Sequence, residues 1–113
     1  MRWALICGIV FALHGGAAKA DITVQQYREF AAKAPRELKL YIGGLQEGFG
    51  WAQAFYTSQD KGAIFCLPDK GLPTDEGFDI LKRYIEESAP KDDALVGLLF
   101  MRALSKTFPC PKK

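Results

Sequence analysis

Histidine is almost absent from this chain of 113 residues, and cysteine is scarce. The single histidine, His14, and one of the three cysteines, Cys7, lie within the first 20 residues. Residues 21–113 therefore lack the histidine that Ser-His-Asp and Cys-His nucleophile systems use. Their two cysteines alone cannot complete the four-ligand shell of a structural zinc site. We accordingly expect no enzymatic activity, no catalytic residue, no metal and no cofactor.

Residues 1–20 have the pattern of an export signal. Arg2 precedes an apolar run of 11 residues from Trp3 to Leu13, and Ala18-Lys19-Ala20 has the A-x-A form of a cleavage site. The run is too short for a bilayer span, which needs roughly 20 residues. The sequence therefore predicts a cleaved signal peptide, a periplasmic location and one domain over residues 21–113. The alternative is that residues 1–20 form a first core helix.

The small positive charge of the chain comes from the same segment. Residues 1–20 hold Arg2 and Lys19 and no acid, so removing them lowers Lys+Arg from 15 to 13, against 13 Asp+Glu. The formal charge falls from +2 to zero. A neutral chain offers no cationic field for a phosphate backbone or an anionic membrane. We expect neither nucleic acid nor membrane as a partner of the mature form.

The two cysteines of the mature chain, Cys66 and Cys110, are predicted to form a disulfide. An even cysteine count in an exported chain favours a structural bond in an oxidising compartment. The chain-entropy estimate for a loop of this length is roughly 4 kcal/mol. The alternative is a reactive thiol pair, although the spacing is far from that of C-x-x-C.

The first half of the mature chain predicts two helices. Residues 23–26 (TVQQ) form a capping box for the first, and Pro35 ends it and begins the second. The second helix carries an apolar stripe at steps of three and four. The stripe consists of Leu38, Tyr41, Ile42, Leu45, Phe49, Ala52, and Phe55 or Tyr56.

Two further helices are predicted after a polar loop and a short apolar segment. Thr74 is the expected N-cap of the third helix, and Pro90 closes it. Asp92 or Asp93 is the expected N-cap of the fourth, which is apolar nearly all round. That helix is either central in the fold or presents one face to a dimer or partner; we expect it to be central. The predicted architecture is a small all-α domain of four helices with one disulfide.

Gly44 and Gly48 lie four residues apart inside the second helix, and therefore on one face of it. Glycine costs up to about 1 kcal/mol in a helix interior, so a compensating role is expected. We predict close packing of another element against these glycines. A small-residue groove for a partner is the alternative.

Four segments of the chain carry short motifs in a fixed order. Residues 41–48 (YIGGLQEG) are similar to a Y-I-x-G-x-x-D-G helix, and residues 65–68 (FCLP) to a C-x-P segment. Residues 84–90 (YIEESAP) resemble a Y-L-x-x-x-P helix end, and residues 103–110 (ALSKTFPC) an A-L-x-x-x-[FY]-P-C terminus. Together these segments resemble the type VI amidase immunity (Tai) proteins. The chain differs in lacking the family's further cysteine pair and in having Glu47 where aspartate is usual.

The resemblance implies a helical periplasmic protein without enzymatic activity. Such proteins bind a peptidoglycan amidase effector of a type VI secretion system and block its active-site cleft, and they are often dimeric. The expected partners are therefore an amidase effector and, as a second assembly, a homodimer. The alternatives are a periplasmic acid-stress chaperone of the HdeA type, also helical and held by one disulfide, and an orphan accessory protein of the same fold.

An inhibitor of this kind needs a rigid body that presents exposed groups to a cleft. The polar loop over residues 57–62 offers Gln59, Asp60 and Lys61 for this contact. These three residues are the predicted partner-binding site. The alternative is an ordinary solvated loop.

Overall fold

A computed structural model describes residues 21–112, so the predicted signal peptide lies outside the described residues. The chain forms four helices: α1 (Val24–Lys33), α2 (Pro35–Ser58), α3 (Thr74–Ser88) and α4 (Val96–Thr107). Over residues 21–112 there is no β-strand, only an isolated antiparallel bridge between Thr23 and Leu95. The prediction of an all-α domain of four helices is confirmed.

All four helices contribute to one apolar core. The buried cluster contains Val24, Tyr27, Leu38, Ile42, Phe65, Leu81, Ile85, Val96, Leu99, Phe100 and Leu104. α2 and α3 each pack against two other helices, whereas α4 packs mainly against α3. The expectation that α4 is the central helix is therefore wrong, and its Leu98 remains about half exposed, at 49%.

The apolar stripe of α2 is buried only along its first half. Leu38 and Ile42 are fully buried, and Phe49 packs at the edge of the core with its ring 5.9 Å from that of Phe100. Phe55 and Tyr56 are exposed, contrary to the predicted stripe. A helix of 24 residues is about 36 Å long, longer than this small core, so its C-terminal part extends beyond the core.

The start of α1 is the predicted capping box. The Thr23 hydroxyl accepts from the Gln26 backbone N–H at 3.2 Å, and the Gln26 side chain accepts from the Thr23 N–H at 2.9 Å. Two backbone donors at the helix start are thereby satisfied within one turn.

The starts of α3 and α4 differ from the prediction. Thr74 is already the first residue of α3, and the N-cap is Pro73, without a side-chain cap. Asp92 and Asp93 lie in the turn before α4, whose N-cap is Leu95, also without a side-chain cap of its own. Asp92 instead pairs with Arg28 of α1. Neither predicted aspartate therefore caps α4.

The cap of α4 comes from Asp21, which is distant in sequence. Its carboxylate accepts the Gly97 N–H at 3.0 Å and the Tyr41 hydroxyl at 2.8 Å. Backbone hydrogen bonds from Val24 to Ala94 and from Val96 to Ile22, both 2.9 Å, bring the segment alongside the start of α4. We call Asp21, Tyr41 and Gly97 the Asp21 clasp. Burial, followed by the hydrogen bond to Asp21, raises the pKa of Tyr41 to about 12.

The predicted disulfide between Cys66 and Cys110 is present, with the two Cα atoms 4.9 Å apart. The Cys66 N–H also donates to the Phe108 carbonyl at 2.8 Å. Phe65, beside the bond, is 2% exposed and belongs to the core. The short segment before Pro68 is thus fixed to the C-terminal end of α4 by a covalent bond, a hydrogen bond and a buried ring.

The glycines of α2 do not have the predicted packing role. Gly44 and Gly48 are exposed, and no described atom of another element lies within 4 Å of a Cβ built on either. The close approach occurs at Gly77 of α3, where a Cβ would lie 1.8 Å from the side-chain oxygen of Gln46. Gln46 donates its amide to the Leu72 carbonyl across this contact. The groove for a partner at Gly44 and Gly48 stays a prediction.

Candidate partner-binding site

The three predicted partner-binding residues stand together on the surface at the end of α2. Gln59, Asp60 and Lys61 are all exposed. The helix continues to Ser58, so the predicted loop begins two residues later than expected. We call residues 59–62 the α2 loop.

The local sequence sets the shape of the α2 loop. Asp60 and Gly62 have left-handed backbone conformations, with φ of 54° and 76°. Glycine adopts this region without a steric penalty, and aspartate is one of the few other residues that visit it routinely. The Lys61 N–H folds back to the Tyr56 carbonyl at 3.1 Å. Lys61 is thereby held beside the last turn of the helix.

The chain that leaves the loop is held by one side chain of α2. The Gln53 side-chain oxygen accepts the Ile64 N–H at 2.8 Å, and its amide donates to the Phe65 carbonyl. Two residues beyond Ile64 the chain reaches the disulfide at Cys66. We call the two Gln53 hydrogen bonds the Gln53 bracket. The α2 loop is therefore anchored at both ends, by the helix before it and by the Gln53 bracket after it.

Large apolar side chains surround the loop in sequence and are strongly exposed. The residues are Trp51 (73% exposed), Phe55 (60%), Ile64 (53%) and Tyr56 (45%), and we call them the apolar collar. The rings of Phe55 and Tyr56 meet edge to face at 6.3 Å. The Lys61 ammonium lies 5.8 Å from the centre of the Tyr56 ring, within cation–π range.

Sequence reasoning missed the collar. The stripe of α2 places Phe55 or Tyr56 on the core face, and it gives Trp51 no role. A usable signal was present, because Trp51 and Phe55 are four residues apart and share a second face of the helix. A helix with two apolar faces, only one of which fits a small core, leaves the other exposed.

This surface combines exposed aromatic and charged side chains. Tryptophan and tyrosine carry much of the binding energy at protein interfaces, where surrounding residues exclude water from the central contacts. The loop adds one carboxylate, one ammonium and one amide. Within residues 21–112 no three His, Cys, Asp or Glu side chains are grouped so that they could hold a metal ion.

Comparisons of the chain with family models, curated proteins and solved structures find no match. Of the helices in the described part of the chain, none combines the length and the apolar character needed to cross a membrane.

Proposed function

We propose that the protein is a periplasmic immunity protein that binds and inhibits a peptidoglycan amidase effector of a type VI secretion system. The α2 loop and the apolar collar form the contact surface. The observation that carries this proposal is a loop of three exposed polar residues, anchored at both ends and bordered by exposed aromatic side chains.

The anchoring supports inhibition because it lowers the entropic cost of binding. Ordering a loop or a flexible side chain at an interface costs about 0.5–1.5 kcal/mol for each side chain immobilised. Here the Gln53 bracket, the backbone bonds of the turn and the Lys61–Tyr56 contact hold much of the surface before a partner arrives. A loop of this kind enters a cleft without first having to fold.

The resemblance to the Tai family supports the choice of partner. Each of the four segments that carry the resemblance contributes to the core, through Ile42, Phe65, Ile85 and Leu104. The two cysteines of the resemblance are bonded to each other. The segments that carry the resemblance therefore all take part in one fold.

The first experiment measures binding to a candidate peptidoglycan amidase effector. The variant Gln59→Ala/Asp60→Asn/Lys61→Ala removes the charges and one amide of the α2 loop. Asparagine is used at position 60 because it tolerates the left-handed backbone. We expect affinity to fall by more than fivefold by calorimetry, or over 1 kcal/mol. The matched control is Asp69→Asn/Lys70→Ala, which makes the same charge changes in another exposed turn. Equal affinity for both variants would remove the α2 loop from the site.

The collar is tested separately with Phe55→Ala and Trp51→Ala. Both side chains are more than half exposed, so their removal should leave folding nearly unchanged while weakening the complex by about 1–2 kcal/mol each. Inhibition is tested in cells by directing the amidase to the periplasm with and without this protein. Lysis in both cases would reject the immunity function for that pair.

The acid-stress chaperone makes a different prediction, namely exposure of apolar surface at about pH 2. Among the described residues no Asp or Glu side chain is buried, and the core is entirely apolar. We therefore expect no rise in binding of a hydrophobic dye on acidification. A large rise, together with protection of client proteins from aggregation, would favour the chaperone over the inhibitor.

A further inference from the structure

A large cavity of the described chain lies far from the α2 loop, between α1 and α3. Its volume is about 690 Å³, within the range of small-molecule sites. We call it the α1–α3 groove. Its lining residues are Tyr27, Arg28, Ala31, Ala32, Pro35, Leu38, Phe78, Lys82, Ile85, Glu86 and Ala89.

The floor of the groove is apolar and already fixed by packing. Leu38 and Ile85 are buried in the core, and the rings of Tyr27 and Phe78 stack with centres 6.4 Å apart. Small side chains on α1, including Ala32, leave the space open above this floor. An apolar chain laid along the groove would cover this surface without displacing any core residue.

The rim of the groove carries one cation, Lys82, and one anion, Glu86, and neither forms an ion pair with a described residue. Lys82 and Glu86 are four residues apart on α3, on one face, and both are exposed. They form no ion pair with each other or with any described residue, whereas Arg28, the third charge at the groove, pairs with Asp92. Lysine placed before glutamate is the weaker order for such a helical pair. The groove therefore presents a free cation and a free anion about one helical turn apart.

Tyr27 places a hydroxyl at the same wall. Its side chain is 6% exposed, and burial, followed by the negative charge of Glu86, raises the pKa of this hydroxyl. Glu86 and Tyr27 both line the groove. The raised pKa keeps the Tyr27 hydroxyl protonated at neutral pH.

From these features we propose that the α1–α3 groove binds a zwitterionic amphiphile with a single apolar chain, of the phosphoethanolamine class. The alkyl chain of the ligand lies on the floor formed by Leu38 and Phe78. The phosphate lies at the Lys82 ammonium, and the ligand ammonium lies at the Glu86 carboxylate. Lys82 and Glu86 lie one helical turn apart and are not paired with each other, so a zwitterion can satisfy both charges. A ligand with a charge of one sign would be attracted by one of these residues and repelled by the other. This site is independent of the immunity proposal.

The test uses lauroyl lysophosphatidylethanolamine below its micelle concentration, with calorimetry on the purified protein. Dodecyl phosphate, an anion, and dodecylamine, a cation, are the probes that carry charge of one sign only. We expect saturable binding of the zwitterion with one site per chain, and an affinity at least about threefold higher than that of either of these two probes, the scale expected for exposed ion pairs. No saturable binding would overturn the proposal.

Two rim variants should each weaken the binding of a different probe, which nonspecific detergent-like binding would not do. Lys82→Met should weaken binding of the zwitterion and of dodecyl phosphate about three- to fivefold and leave dodecylamine unaffected or stronger. Glu86→Gln should weaken binding of the zwitterion and of dodecylamine by a similar factor and leave dodecyl phosphate unaffected or stronger. The matched control Lys91→Met removes an exposed lysine outside the groove and should change none of the three. Binding that ignores both rim variants would refute the charge assignment.

The position of the ligand's alkyl chain is tested with Ala32→Trp, which fills the groove from an exposed position on α1. We expect loss of binding of all three probes while the helical circular dichroism spectrum and the melting temperature stay near those of the parent protein. Unchanged binding in a folded Ala32→Trp protein would show that the amphiphile binds elsewhere.

Discussion

Replacing Asp21 with alanine removes the acceptor on which the start of α4 depends. The carboxylate receives the Gly97 N–H at 3.0 Å and the Tyr41 hydroxyl at 2.8 Å, and Leu95 at the N-cap position provides no substitute. Loss of a helix cap costs typically about 1 kcal/mol. Loss of a hydrogen bond to a charged acceptor adds about 1 kcal/mol for a partly buried pair. We therefore expect Asp21→Ala to lower the free energy of unfolding by about 2 kcal/mol.

The assay is urea unfolding followed by circular dichroism, supported by thermal melts. A change of 2 kcal/mol in a domain of this size lowers the melting temperature by about 8–16 °C. Tyr41→Phe should cost about 1 kcal/mol, and the double variant should cost less than the sum, because both changes remove the same hydrogen bond. Since Asp21 follows the predicted cleavage site, the first residue of every purified variant is established by mass spectrometry.

The control is Asp93→Ala, in the turn before α4, where sequence reasoning puts the cap. Asp93 is exposed, so its replacement should change stability by less than about 0.5 kcal/mol. Equal destabilisation by Asp93→Ala and Asp21→Ala would refute the assignment of the α4 cap to Asp21. A cost of under about 0.5 kcal/mol for Asp21→Ala would show that the clasp contributes nothing measurable to stability.

Three further predictions concern other parts of the fold. Replacing Cys66 and Cys110 with serine should lower the free energy of unfolding by roughly 4 kcal/mol, measured in urea; a loss under 1 kcal/mol would contradict the loop-entropy argument. Gly44→Ala should raise stability by up to about 1 kcal/mol, because no described atom of another element lies within 4 Å of the added methyl, whereas destabilisation would reveal an unseen contact. Tyr41 should ionise near pH 12 by ultraviolet titration; its folded pKa exceeds the unfolded value of 10.0, so its contribution to stability is complete below pH 10 and is lost as pH rises towards 12.

Sequence reasoning succeeded where the determining interactions are local or where few pairings exist. The Thr23–Gln26 capping box is complete within four residues, and the structure shows both of its hydrogen bonds. Helical periodicity located the four helices because each has a continuous apolar face. Cys66 could bond only with Cys110 once Cys7 was assigned to the signal peptide.

Sequence reasoning failed where distant segments decide the outcome. The Gly97 N–H is capped by Asp21, 76 residues away, and no local sequence pattern predicts such a contact. The stripe of α2 identifies residues on one face, but periodicity does not tell where along the helix the core ends. The pattern predicts that either Phe55 or Tyr56 is buried, whereas both are exposed and belong to the candidate site.

The length of α2 separates the two proposed sites. Pro35 and Leu38 line the α1–α3 groove at its first turn, and the α2 loop begins after Ser58, so roughly 30 Å of helix lies between them. Coupling over that distance would need an element with two alternative arrangements, biased by both ligands. α2 is one continuous helix, and its two ends are fixed by different contacts, the core at Leu38 and the Gln53 bracket near the loop. Saturating the groove with the lysolipid should therefore leave amidase affinity unchanged within about twofold. A larger shift would mean that α2 changes position and that a ligand in the groove alters binding at the α2 loop.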